Sequence, residues 1–108
     1  MDNKSNFRRG SVELLILHLL SKHDYYGYEL SQIMKQLTDG VIDIPVGSLY
    51  PALYKLIDNG YISDYKKQVG QRLVRVYYHI ENAGKERLAI LLKDYYQTNH
   101  AIQNILNY

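Results

Sequence analysis

Apolar and polar positions alternate along the chain with two different periods. Residues 12–20 read VELLILHLL, an apolar block broken only by Glu13 and His18. The pattern predicts a first helix from about Gly10 or Ser11 to Lys22, with Ser11 as N-cap and Glu13 in the first turn. Its leucines cover nearly the whole circumference, so it must be buried on more than one side. A second helix is predicted from Tyr28 to Leu37, with Leu30, Ile33, Met34 and Leu37 at helical spacing. Val41, Ile42 and Ile44 then read as a short extended piece ending at Pro45. A third helix fits Ser48 to Asn59: Leu49, Leu53, Leu56 and Ile57 form one stripe, and Gly60 stops it. With Ser48 as N-cap, Pro51 falls in the first turn, where a missing N–H costs little.

The period then changes to two. Tyr61 to Lys67 and Leu73 to Ile80 are predicted as the arms of a hairpin, with a polar, basic tip between them. A last helix follows from about Ala83 to Leu106, with Asn82 as candidate cap. Leu88, Tyr95 and Ile102 recur every seven residues, as do Leu91, Thr98 and Ile105. Some 24 residues span roughly 36 Å. A core of this size cannot cover such a helix, so an apolar stripe must project and find a partner.

Length and composition narrow the class. A chain of 108 residues makes one domain. The absence of Cys removes disulfides, thiolate nucleophiles and Cys-rich zinc sites. The apolar run is too short to span a bilayer and lacks a cleavage signal, so a cytoplasmic protein without membrane contact is expected. Twelve tyrosines stand against one phenylalanine and no tryptophan. Tyrosine combines an apolar ring with a polar tip and suits half-buried positions at interfaces. The net charge is +2, but it is uneven: −1 over residues 1–43, +3 over 44–80, and zero over 81–108. The cationic middle third suits a polyanion.

The element order implies a fold that is mainly α with a small β-hairpin wing: a winged helix-turn-helix plus a long C-terminal dimerisation helix. The expected division is a flexible N-terminal segment over 1–9, a DNA-binding domain over 10–81 and the dimerisation helix over 82–108. The third helix would present Ser48, Tyr50, Pro51, Tyr54 and Lys55 to the major groove. Lys66, Lys67, Arg72 and Arg75 on the wing would meet the backbone. Leu15, His18, Leu19, Leu88, Leu91, Tyr95, Ile102 and Ile105 are the expected dimer contacts. Tyr95 and Tyr96, with Leu92, are candidates for stacking on a flat ligand near the two-fold axis. His23, His79 and His100 are scattered and show no metal-ligand spacing. Ser48, His79 and Asp58 form no catalytic set, and no nucleophile-elbow or phosphate-loop motif occurs. Neither an enzyme nor a cofactor is expected.

Four stretches carry a family resemblance: RRGSVELLILHLL (8–20), YGYEL (26–30), GSLYPALYKLIDNGYI (47–62) and RVYYHIENAG (75–84). The chain resembles the PadR family of bacterial transcriptional regulators, and specifically its short members with a single C-terminal helix. The resemblance implies a homodimeric repressor whose first and last helices build the dimer. It implies that the recognition helix reads an inverted-repeat operator in double-stranded DNA and that Tyr50 contacts the DNA backbone. It also implies release by a planar aromatic or phenolic small molecule. Two positions depart from the family pattern. Glu81 stands where Thr usually caps the last helix, so Asn82 is expected to take over the cap. The wing tip reads KKQVGQR instead of carrying a Gly-Gly-Arg tip. Two rival functions remain open at this point: a winged-helix protein-interaction module, and a protein that sequesters aromatic ligands without binding DNA.

Overall fold

In the computed structural model, residues 3–108 are described, with side chains from Ser11 onward. The elements in order are α1 (Asn3–Leu20), β1 (Tyr25–Tyr26), α2 (Gly27–Leu37), α3 (Val46–Asp58), β2 (Ile62–Gln68), β3 (Val74–Ile80) and α4 (Asn82–Leu106). This is a winged helix-turn-helix with a long terminal helix. The flexible segment expected over residues 1–9 lies outside the residues whose side chains are described. The backbone nonetheless corrects the first boundary. α1 starts at Asn3, so Ser11 is an interior residue and not the N-cap. Val12, Ile16, Leu17 and Leu20 of α1 enter the core, whereas Leu14, Leu15 and Leu19 are half-buried.

The core joins every element. Leu30 and Met34 of α2, Leu49, Leu53 and Leu56 of α3, Ile62 of β2, Tyr78 and Ile80 of β3 and Leu88 of α4 close around α1. In α2 the expected stripe ends early, since Leu37 is exposed. Gly60 holds a positive φ of 76°, a conformation open to glycine without penalty, and so turns the chain from α3 into β2.

The sheet is antiparallel with order β1-β3-β2. Tyr25 and Tyr26 pair with Tyr78 and Tyr77, a strand too short for periodicity to reveal. The extended piece expected at Val41, Ile42 and Ile44 is not a strand. It pairs with none of the three strands, whose order is β1-β3-β2. It is held as a loop instead: the Thr38 hydroxyl donates to the Met34 carbonyl at 2.7 Å and accepts the Ile42 N–H at 2.9 Å. Ile44 still reaches the core.

Two helix caps differ from expectation. The cap of α3 lies three residues early, at Pro45 with φ −69°, whose carbonyl accepts the N–H groups of Ser48 and Leu49. Ser48 is therefore helical, and Pro51 lies one turn deeper than predicted, where it withholds a donor from the Gly47 carbonyl. Gly47 is exposed, so water can serve that carbonyl. At α4, Glu81 keeps the N-cap position and Asn82 is the first helical residue. The Glu81 carboxylate does not cap the helix but accepts a hydrogen bond from the Ser63 hydroxyl of β2 at 2.5 Å.

Candidate nucleic-acid interface

The buried stripe of α3 divides its outer surface into two flanks. Tyr50 lies on the flank toward α2. A β-carbon built at Gly27 would stand 2.6 Å from the Tyr50 hydroxyl oxygen. The phenol tip therefore rests on the first residue of α2, where the helix leaves N–H groups without intrahelical acceptors. A side chain at position 27 would evict it. At the same end the Tyr26 N–H donates to the Glu29 carboxylate at 3.4 Å. Tyr54 is exposed and tilts against Tyr50, ring centroids 6.2 Å apart. Tyr28 is also exposed at this end.

Ser48, Pro51 and Lys55 lie on the opposite flank. They line a cleft of about 580 Å³ whose far wall is Glu13 of α1 and Arg87 of α4. The reading face expected as one surface is thus two: tyrosines toward α2, and small or cationic residues toward α1 and α4. Asp58 and Asn59 are exposed at the C-terminal end. The Glu13–Arg87 pair is bidentate, with Nε at 3.1 Å and Nη2 at 3.2 Å. The Glu13 hydrogen bonds raise the Arg87 pKa still further above its usual range. The two residues are 74 apart in sequence, so nothing in the sequence pairs them.

The wing sorts its cations by strand parity. Register places Lys67 opposite Arg75 and Tyr65 opposite Tyr77 on one face, with Lys66 opposite Val76 on the other. Arg75 is half-buried because its guanidinium lies 4.3 Å above the Tyr26 ring centre. Lys67 approaches Tyr77 to 5.3 Å, and Tyr77 stacks on Tyr65 at 5.8 Å. Such cation–aromatic contacts fix where the charges are presented. Lys66 and Arg72 are exposed, Arg72 in the turn between the strands.

Sequence reasoning missed a polar cluster at the wing's base. Asp24 accepts from the Tyr65 hydroxyl at 2.7 Å and pairs with His79 Nδ1 at 2.8 Å. Desolvation works to raise the Asp24 pKa, but the Tyr65 and His79 hydrogen bonds and the charges of His79 and His23 hold it below the usual range. The same contact with Asp24 pushes the Tyr65 phenol up. Only the hairpin register and the β1 pairing bring these distant residues together.

α4 leaves the core early. Leu88 is buried within its own chain, and Leu91 and Leu92 are half-buried against it. Leu88 is thus corrected from a partner contact to a core residue. Every residue from 93 to 108 is exposed, including Tyr95, Tyr96, Ile102 and Ile105. Tyr95 also lines a groove of about 320 Å³ between α1 and α4, with Leu14, Leu91, Thr98 and Ile102. Tyr96 touches the Tyr95 ring edge-on at 5.3 Å, but neither Tyr96 nor Leu92 lines that groove. His18 is exposed on α1.

Among the described residues no group of acidic and histidine side chains is placed to hold a metal, and no helix is long and apolar enough to cross a membrane. Residues 16–90 match the profile of the Transcriptional regulator PadR-like family. The chain belongs to the PadR-like family. A protein of Lysinibacillus sphaericus without an assigned function is 31% identical over 99 residues, which are 92% of this chain and 91% of that one. A transcriptional regulator from Clostridium thermocellum superimposes with a TM-score of 0.85 at 32% identity, over 92% of this chain and 96% of that one. Bacillus subtilis PadR, solved in complex with operator DNA, superimposes with a TM-score of 0.70 at 28% identity. There the match covers 76% of this chain and 46% of the Bacillus protein. Members of the PadR-like family are transcriptional regulators and not enzymes.

Proposed function

We propose that this PadR-like regulator is a homodimeric repressor that binds an inverted-repeat operator and is released by a small planar aromatic or phenolic ligand. The observation that carries DNA binding is the seat of Tyr50. Its hydroxyl rests on Gly27 at the N-terminus of α2. A phosphate there would meet a phenolic O–H, free backbone N–H groups and the positive end of a helix dipole together. Tyr54, Ser48, Pro51 and Lys55 then face the groove from α3. Lys66, Lys67, Arg72 and Arg75 reach the flanking backbone from the wing.

Dimerisation rests on the exposed stripe of α4. Tyr95, Ile102 and Ile105 project beyond the core, and Leu91 with Leu15, Leu19 and His18 of α1 continues the surface. The 25 residues of α4 extend roughly 37 Å and help give the chain an extent of 60 × 29 × 25 Å. Pairing two such helices would set two reading heads on one duplex face, about 34 Å apart. The groove at Tyr95 is where a flat ligand would enter, with Tyr96 and Leu92 beside it. To release DNA, the ligand must prefer the arrangement that cannot bind it. The cytoplasm is the working compartment of such a repressor.

The test is a fluorescence anisotropy titration with duplex from upstream of the protein's own gene, repeated across salt concentrations. Log affinity should fall with log salt at a slope of roughly −0.9 per phosphate contacted. Tyr50→Phe should weaken binding about fivefold to tenfold, the net worth of one hydrogen bond, with the fold intact. Absent or salt-insensitive duplex binding would leave the protein-interaction module as the better reading.

A further inference from the structure

α3 is poorly equipped to read bases by hydrogen bonds. Its residues, VGSLYPALYKLID, include no Arg, Asn or Gln, the side chains that bond guanine or adenine edges in pairs. Lys55 and Asp58 lie in its last turn, away from the leading end that meets base edges in a major groove. The Ser48 hydroxyl serves any base and so distinguishes little between them. Tyr50 is held on Gly27 and Tyr54 tilts against it, which keeps both rings on the flank toward α2. The leading turns of α3 therefore lack a hydrogen-bonding code.

What those turns present instead is apolar. Val46, the first residue of α3, is 60% exposed and belongs neither to the core nor to the half-buried residues packed on it. Valine is a poorer helix former than alanine, and here it gains no packing, so folding does not explain its place. Pro51 is also exposed and has no N–H to offer a base. Gly47 separates the two on the helix surface. No atom stands within 4 Å of the place a β-carbon would take there, so the backbone can approach a groove floor closely. Among the base edges that line a major groove, thymine alone carries an apolar group, its C5-methyl.

We propose that Val46 and Pro51 read thymine methyl groups in each operator half-site, so that this protein selects sequence by apolar contact in place of paired hydrogen bonds. The inference rests on the reading of α3 as the DNA-reading helix. Phosphate contacts from Tyr50, Lys55 and the wing then supply affinity, while Val46 and Pro51 supply the choice of bases.

The full chain is first used to select duplexes from a random-sequence library, and thymines should recur in both half-sites. In a selected duplex each thymine is then replaced in turn by deoxyuridine, which removes the methyl and leaves every hydrogen-bonding group. Anisotropy should report a loss of about fourfold for each contacted methyl, the worth of one buried CH₂ group, and none at thymines outside the half-sites. Val46→Ala and Pro51→Ala should each erase the uridine effect at one half-site position and leave it at the other. Both should keep the salt slope of the natural sequence, because neither residue touches a phosphate. Both variants should fold, since the positions are exposed and alanine is the better helix former. Affinity that ignores uridine at every half-site thymine overturns the proposal, as does a uridine effect that both alanine variants preserve. Sites fixed at guanine and relaxed by Lys55→Gln overturn it in favour of hydrogen-bonded reading. A selection that enriches no duplex rejects this inference together with the repressor reading, whereas enriched duplexes without the uridine effect reject this inference alone.

Discussion

Gly84 offers a test in which local and tertiary reasoning predict opposite signs. It is the third residue of α4 and is buried. Glycine inside a helix is about 1 kcal/mol worse than alanine, so helix propensity alone predicts that Gly84→Ala stabilises. The surroundings predict the reverse. A β-carbon at Gly84 would lie 2.1 Å from the Tyr61 carbonyl oxygen and 2.8 Å from Ile80 Cγ1. The Tyr61 oxygen cannot rotate away, because it is backbone and already accepts the Glu81 N–H at 2.9 Å. Ordinary contact requires α4 to move about 1 Å from the start of the wing, at the upper end of the ~1–3 kcal/mol of overpacking. After the propensity gain the net loss is about 2 kcal/mol, or roughly 8 °C in Tm for a chain of this length. Gly47→Ala is the internal control. Gly47 is also helical, but nothing lies within 4 Å of its would-be β-carbon. That substitution should raise stability by up to about 1 kcal/mol. Both are read by circular dichroism during thermal unfolding. A Gly84→Ala variant as stable as the natural sequence would refute the contact between α4 and the Tyr61 backbone.

Gly27→Ala should leave Tm nearly unchanged but weaken duplex binding about as much as Tyr50→Phe. The displaced group is the free end of a side chain, and the double variant should be no worse than either single one; additive losses would disprove the shared seat. Ile102→Asp should convert a dimer to a monomer of unaltered helix content and abolish cooperative operator binding, measured by light scattering and anisotropy. A variant that stays dimeric would remove Ile102 from the seam. Burial pushes the Tyr78 phenol up to about 12. The folded state therefore holds its proton where the unfolded chain, with a value near 10, releases it. The resulting stability is complete below pH ~10 and lost as pH rises toward ~12, up to roughly 3 kcal/mol. Urea unfolding at about pH 9 and about pH 11 should show a smaller drop for Tyr78→Phe than for the natural sequence, and equal drops would contradict the assignment.

Much of the fold was legible because its signals are local and repeated. The stripe Leu49, Leu53, Leu56 needs only helical spacing to be read, and the alternation from Val74 to Ile80 needs only strand spacing. The charge excess over residues 44–80 likewise marked α3 and the wing before their geometry was known. Boundaries were less legible. Ser48 and Asn82 have good capping chemistry, yet Pro45 and Glu81 hold those positions. Tertiary contacts outweighed cap preferences of about 1 kcal/mol: Glu81 is tied to Ser63, and the chain enters α3 already bent at Pro45.

Residue type and period alone set which faces are apolar, where the chain turns and which third carries the positive charge. Everything else came from contacts between elements. These paired Tyr25 and Tyr26 with β3, gathered Asp24 with Tyr65 and His79, and joined Glu13 to Arg87. They also divided the tyrosines among separate roles. Tyr78 fills the core, Tyr26, Tyr65 and Tyr77 stack around the wing's cations, Tyr50 rests on Gly27, and Tyr95 borders an open groove. These are contacts between residues tens of positions apart. Their energies depend on three-dimensional distance, which no local period encodes.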